Sequence, residues 1–352
     1  MGVRAHWPNR HRATRDSDRR LMLTRLSRWI ILWIDTPMWT QNLGIARTLI
    51  AVTGLATLVF SSMDTLIRPG AGIDVVPNCA GPARISAWCV VDPVDNSWMQ
   101  ILCILILALA LAASGWRPRL TAIPMWWVLF SNQASFTTVD GGDQVAAVLA
   151  LLLIPVSLTD SRRFHWRHVP AAGPVSSGIY AGILARVTLV VIKVQVSFIY
   201  INACLSKLSV EEWLDGTSIY YWLRDPLFGP VGPLRQATDA MMLDPVLVAS
   251  VTWGTLILEF LLGISLFLPQ RTKYVLLPLG VAFHLGIAVT MGLWTFAFAM
   301  WGALLLALWP QGCLLYAMRM SAQRIVEALP RSDRNLHNRI SEMTYPVAHA
   351  KE

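Results

Sequence analysis

Eight runs of mostly apolar residues constrain this chain more than any other feature of it. They cover residues 43–60, 98–115, 120–136, 144–158, 179–203, 246–268, 274–291 and 295–316. A helix crossing a bilayer needs about 20 such residues. Inside hydrocarbon every backbone N–H and C=O must find a partner within the protein, which leaves the α-helix as the form for runs of this length. The expected fold is therefore all-α, a polytopic membrane protein of about eight transmembrane helices. The third run, which carries Pro124, Asn132 and Gln133, and the short fourth run fit this pattern least well. Only 14% of the residues are charged and the 16 Trp are many for 352 residues. Soluble domains carry roughly 25% charged residues, and Trp gathers at membrane interfaces.

The basic residues give these runs a direction. With the N-terminus inside and the runs alternating, inner segments hold 21 of the 29 Lys and Arg. Outer segments hold five, namely Arg68, Arg84, Lys207, Arg224 and Arg235. Cytoplasmic loops retain Lys and Arg, so both termini are expected on the cytoplasmic side. The formal charge of +8 does not indicate nucleic acid, because the basic residues lie in short loops between apolar runs and not on one face. Residues 1–38 read as a basic cytoplasmic tail whose segment 21–34 lies on the membrane surface, with no cleavable leader. Residues 39–316 form the membrane domain, and 317–352 a second cytoplasmic tail. No internal repeat supports an inverted-repeat transporter. The long outer segments, 61–97 and 205–245, place function on the outer side.

Ionisable groups inside a bilayer are costly and mark functional sites by default. Lys193, Glu259 and His284 sit mid-way along the fifth, sixth and seventh runs and are expected at similar depth. Glu259 is positioned to pair with His284 or Lys193, either as part of a site or as a polar network that fixes packing. Arg47, one turn from the inner end of the first run, reads as an interface anchor or a snorkelling side chain. Lys207 follows the fifth run at its outer end, where a partly covered amine can serve as a base or simply snorkel. Cys204 shares its face, as an activated thiol or a small buried apolar residue. Cys103 and Cys313 read as core residues. Cys79 and Cys89 lie in one outer loop and are expected to form a structural disulfide, with free thiols or a redox-active pair as the alternatives. Asp140-Gly-Gly-Asp143 is an outer turn that either binds a cation or is a tight solvated turn, and no metal site is assigned.

Four stretches carry a resemblance. They are Asn42-Leu-Gly-Ile-Ala-Arg47, the Asp140–Asp143 turn, the K-L-x4-W-x2-G pattern of Lys207, Leu208, Trp213 and Gly216 after Tyr200, and His284-x7-Gly292-Leu-Trp-Thr-Phe296 with Met300 beyond it. Through them the chain resembles the HTTM group, bacterial membrane domains related to vitamin K-dependent γ-glutamyl carboxylase. Within that group it is most similar to the SdpB family of toxin-maturation membrane proteins. The resemblance implies a bacterial plasma-membrane protein with a role in maturing a secreted antimicrobial peptide, with the help of a small partner protein. It also implies Lys207 as a base, His284 as a contact to a reduced quinone or an oxyanion, and Glu259 beside them. Trp213, Gly216, Lys193 and Arg47 are supporting residues in this reading. The carboxylase's lumenal substrate-recognition domain has no counterpart here, so recognition is expected to lie in a partner. The alternatives are a quinone-dependent carboxylase or oxygenase acting on another substrate, and a non-catalytic scaffold or exporter.

Overall fold

A computed structural model describes residues 38–69, 77, 79–90, 98–138, 140–167 and 178–309. Both tails, Cys313 and the end of the last apolar run lie outside these. Among the described residues there is no strand, and eight helices of 15 residues or more fall where the apolar runs predict them. They are α1 (Gln41–Phe60), α2 (Trp98–Ala113), α3 (Pro118–Ser135), α4 (Gly141–Leu158), α5 (Gly178–Lys207), α6 (Pro245–Gly263), α7 (Gln270–Met291) and α8 (Trp294–Leu308). Five of these stretches are long and apolar enough to cross a membrane: those of α1 and α4, residues Tyr180–Lys207, residues Pro245–Phe267 and that of α7. The helices α2 and α8 are apolar but shorter.

The bundle is built on neighbours in sequence. The pairs α1–α2, α3–α4, α4–α5, α5–α6 and α7–α8 pack together, and α8 returns to lie against α1 and α4. Small residues permit the tightest approaches, as in other membrane bundles. Ala46, Ala51, Ala299 and Ala303 are fully buried along α1 and α8.

Asn132, one of the polar residues that weaken α3 as a span, has a partner in the segment before α2. Trp88 donates from its indole to Asn132 Oδ1 at 3.1 Å, and the Ala87 amide donates to Ser131 Oγ at 2.9 Å. Trp88 is 2% exposed, so the loop inserts its largest side chain into the bundle. Cys79 and Cys89 are joined in the same loop, with Cα atoms 5.7 Å apart. Cys103, by contrast, lies on the exposed face of α2 and not in the core, because that face of so apolar a helix meets lipid. Pro124 stands inside α3 without ending it.

At the opposite end, Arg47 neither snorkels nor anchors at the surface. It is 2% exposed, and its guanidinium donates to Ala112 O at 3.2 Å and Thr121 Oγ1 at 2.7 Å, tying α1 to α2 and α3. Beside it, the His165 amide donates to Gly115 O at 3.0 Å, and the buried imidazole lies 3.2 Å from Thr48 Oγ1. Burial, followed by the nearby Arg47 and Arg162, pulls His165 from 6.5 down to about 3. The unfolded chain therefore takes up a proton as pH falls through 6.5, while the folded chain does not until about 3. Stability from keeping this ring neutral is complete above pH 6.5 and is lost progressively across that window. In detergent-solubilised protein, the thermal midpoint should fall between pH 6.5 and 4, and His165→Gln should flatten that fall.

Candidate functional site

Lys207 is the last residue of α5, not a loop residue beyond it. Its Nζ lies 2.8 Å and 3.0 Å from the two Glu259 carboxylate oxygens. It also stands 5.4 Å from the centroid of the Trp213 ring, a cation–π contact. The K-L-x4-W-x2-G pattern thus has a local cause. A short helical turn, Glu211–Leu214, folds Trp213 back onto the ammonium. Gly216 then reverses the chain at φ 84°, a left-handed conformation that glycine adopts without steric cost.

Glu259 therefore pairs with Lys207, and not with His284 or Lys193 as their positions along the runs suggest. Lys193 lies 14 residues before Lys207 in α5, which is about 20 Å along a helix. The error came from the vertical offset of α6. Its first turns pack against the segment between α5 and α6, with the Ile219 amide donating to Thr252 Oγ1 at 3.3 Å and the Trp253 indole to Leu214 O at 3.3 Å. Only its second half packs on α5, where Ser197 Oγ donates to Gly263 O and Cys204 Sγ to Leu256 O. That register sets Glu259 beside the end of α5. Cys204 is buried against a carbonyl, which favours the small-residue reading over an activated thiol.

His284 is 2% exposed and faces α5, where its Nε2 lies 2.9 Å from the Tyr200 hydroxyl. Phe296 closes on the ring edge-on at 5.4 Å. The other ring nitrogen, Nδ1, is buried and has no hydrogen-bond partner. Tyr200 is a site residue that the Lys207 pattern does not by itself single out. The signal was available, since Tyr200 and Lys207 are seven residues apart and so share a helix face.

The Asp140-Gly-Gly-Asp143 turn supports this wall as a capping box whose Asp143 is buried and not solvated. Asp140 caps α4 by accepting from the Asp143 amide at 3.0 Å, and Asp143 Oδ2 accepts in return from the Asp140 amide at 3.3 Å. Asp140 Oδ2 also accepts from Thr295 Oγ1 at 3.1 Å, next to Phe296. Asp143 is 5% exposed, so its carboxylate completes a capping box inside the protein. Gly142 lets the α4 start lie directly on the Phe296 backbone.

These groups surround one cavity of about 350 Å³, bounded by Lys207, Glu259, Tyr200, His284, Phe296 and Gly141 among others. It presents an ammonium–carboxylate pair on one side and an aromatic wall with an imidazole on the other. Lys193 and Arg47 take no part in it.

Two curated relatives bear on what the cavity belongs to. The chain is 35% identical over 294 residues to the protein YitO of Bacillus subtilis (strain 168), covering 82% of this chain and 92% of that one. It is 34% identical over 280 residues to the sporulation-delaying protein SdpB of the same organism, covering 79% and 84%. The chain belongs to the SdpB family. No family profile and no solved structure matches it. The aligned lengths are too great to fit within the tails, so this SdpB-family chain shares most of its helical bundle with both relatives.

Proposed function

We propose that this SdpB-family protein is a plasma-membrane component for production of a secreted peptide toxin, and that it acts through the cavity at Lys207. Membership in the family supports the first part, since one relative is named a sporulation-delaying protein. The single observation behind the second is the Lys207–Glu259 pair, with side chains 25% and 7% exposed, opening on a cavity of about 350 Å³. Buried pairs are poor devices for stability, and packing alone is better served by apolar residues. In this reading Lys207 acts as a base on the bound substrate, and Glu259 is the group placed to take the proton that the pair holds on nitrogen. His284 and Tyr200 orient a carbonyl or hydroxyl of the substrate. With the inner segments holding most of the Lys and Arg, the Lys207 end faces the outside, where a secreted peptide is handled.

A second reading, a quinone-dependent carboxylase or oxygenase acting on another substrate, draws on the aromatic wall of Phe296, Tyr200 and His284. A reduced quinone suits that wall and the two polar groups opposite. When bound it would supply reducing power, while Lys207 and His284 would hold its oxygens.

The test is mass spectrometry of the secreted peptide in cells carrying the native protein, Lys207→Ala or a deletion, at matched membrane levels. We expect Lys207→Ala to reproduce the deletion, with processed peptide reduced at least about a hundredfold, the lower end of the scale for losing one positioned acid–base group. A Lys207→Ala strain secreting native peptide would leave the protein a scaffold.

A further inference from the structure

A second pocket lies at the opposite end of the bundle, where the α2–α3 connection meets the segment after α4. It has a volume of about 250 Å³ and is bounded by Arg117, Arg119, Arg162, Arg163, Asp160 and Leu120, with Ser161. Four arginines around so small a space repel one another unless anions are present. Asp160 neutralises only one. Arg162 grips it through Nε to Oδ1 at 2.9 Å and Nη2 to Oδ2 at 2.7 Å, and it also donates to His165 O at 2.7 Å. Arg162 is thus part of the scaffold that shapes the loop. Arg119 reaches one carbonyl, Thr159 O, at 3.2 Å. Arg163 lies 5.9 Å from the centroid of the Phe164 ring. Among the described residues, Arg117, Arg119 and Arg163 have no carboxylate partner.

The backbone holds these side chains together at a cost. Arg117 has φ 36°, the only positive φ among described non-glycine residues. Such strain persists only where surrounding contacts over-determine it. Here the Arg117 amide donates to Arg163 O at 2.8 Å, which clamps the backbones of two of the three arginines that lack a carboxylate partner side by side.

We propose that this pocket binds the phosphate of an anionic phospholipid headgroup. Arginine forks match phosphate oxygens in pairs, and basic pockets at the ends of membrane helices hold such headgroups. The pocket's own wall distinguishes a lipid from free phosphate. Leu120 lines it and is 58% exposed, and Ile123, one turn further along α3, is 51% exposed. A headgroup among the arginines would lay its chains down that apolar strip, whereas a soluble anion would leave it bare. On the orientation proposed above, the pocket faces the inner leaflet.

The experiment titrates the full-length protein in neutral detergent with short-chain phosphatidylglycerol, short-chain phosphatidylcholine or inorganic phosphate, and follows the thermal midpoint. Because both leaflets are absent, the result does not depend on orientation or on the role of Lys207. We expect a saturable rise with phosphatidylglycerol alone. Arg119→Gln and Arg163→Gln should each weaken the apparent affinity about fivefold, and the Arg117→Gln, Arg119→Gln, Arg163→Gln triple variant about a hundredfold, as about 1 kcal/mol per arginine implies. Arg271→Gln, at the same end but outside the pocket, should bind as native. If the triple variant fails to accumulate, the two single variants decide. An equal response to phosphatidylcholine, an equal response to phosphate, native binding by the single variants, or an equal loss in Arg271→Gln would each overturn the proposal.

Discussion

Lys207→Met should destabilise the bundle by about 2–3 kcal/mol, and adding Glu259→Gln should recover most of that loss without recovering function. Removing one member of a buried pair leaves the other charge unmatched in a low-dielectric site, at about 3–5 kcal/mol when both are fully buried. Glu259 is nearly enclosed, but Lys207 keeps 25% of its side chain exposed, so solvent reaches the pair from one side and the lower figure applies. The double variant leaves no stranded charge. A double-mutant cycle on detergent-solubilised protein, read by thermal or denaturant unfolding, should therefore show a coupling well above the error of additive sites. Peptide maturation should be lost in all three variants. A stable double variant that still matures the peptide would confine the pair to packing. Three equally stable variants would show that the pair is open to water and that the cavity is not a dry site.

Gly142→Ala should damage the packing of α4 on α8 severely, while Gly141→Ala next to it should be tolerated. A β-carbon at Gly142 would sit 2.5 Å from Phe296 Cα and 3.0 Å from Phe296 N, with Asp140 Oδ1 at 2.9 Å. Two of those are backbone atoms of α8, so no side chain can rotate away. At Gly141 the nearest atom is Phe296 Cε2 at 3.6 Å, an ordinary contact. Overpacking costs about 1–3 kcal/mol where side chains can adjust. At Gly142 we expect at least about 3 kcal/mol, or a displaced α8 that carries Phe296 off His284. Thermal midpoints and membrane accumulation of the two alanine variants give the comparison. Equal behaviour of the pair would mean that α4 and α8 do not meet as described.

Hydropathy alone determined that the chain is helical and, closely, where its helices lie. The spans predicted at 43–60, 246–268 and 274–291 differ by a few residues from α1, from Pro245–Phe267 and from α7. The polar Asn132 and Gln133 made α3 look weak, because nothing in its own run showed that Trp88 from a distant loop would satisfy Asn132. The sequence also singled out Glu259 and His284, since ionisable residues in apolar runs stand out without any structure, and Lys207 through the resemblance carried by its K-L-x4-W-x2-G pattern. It could not say which meets which. Lipid chains are as apolar as leucine, so apolar content fixes a helix's length but neither its rotation nor its height against its neighbours. Those are set by specific contacts, here Ser197 with Gly263, Ile219 with Thr252 and Trp253 with Leu214. They raise α6 so that Glu259 reaches Lys207 instead of Lys193. The same holds for Arg47. Its position in the first run predicted a side chain reaching for the interface, but the packing of α1, α2 and α3 supplied Ala112 and Thr121 as acceptors and kept it inside. Sequence determined which residues are costly to bury, and only the tertiary structure decided how each cost is offset, because the partners lie tens of residues away on other helices.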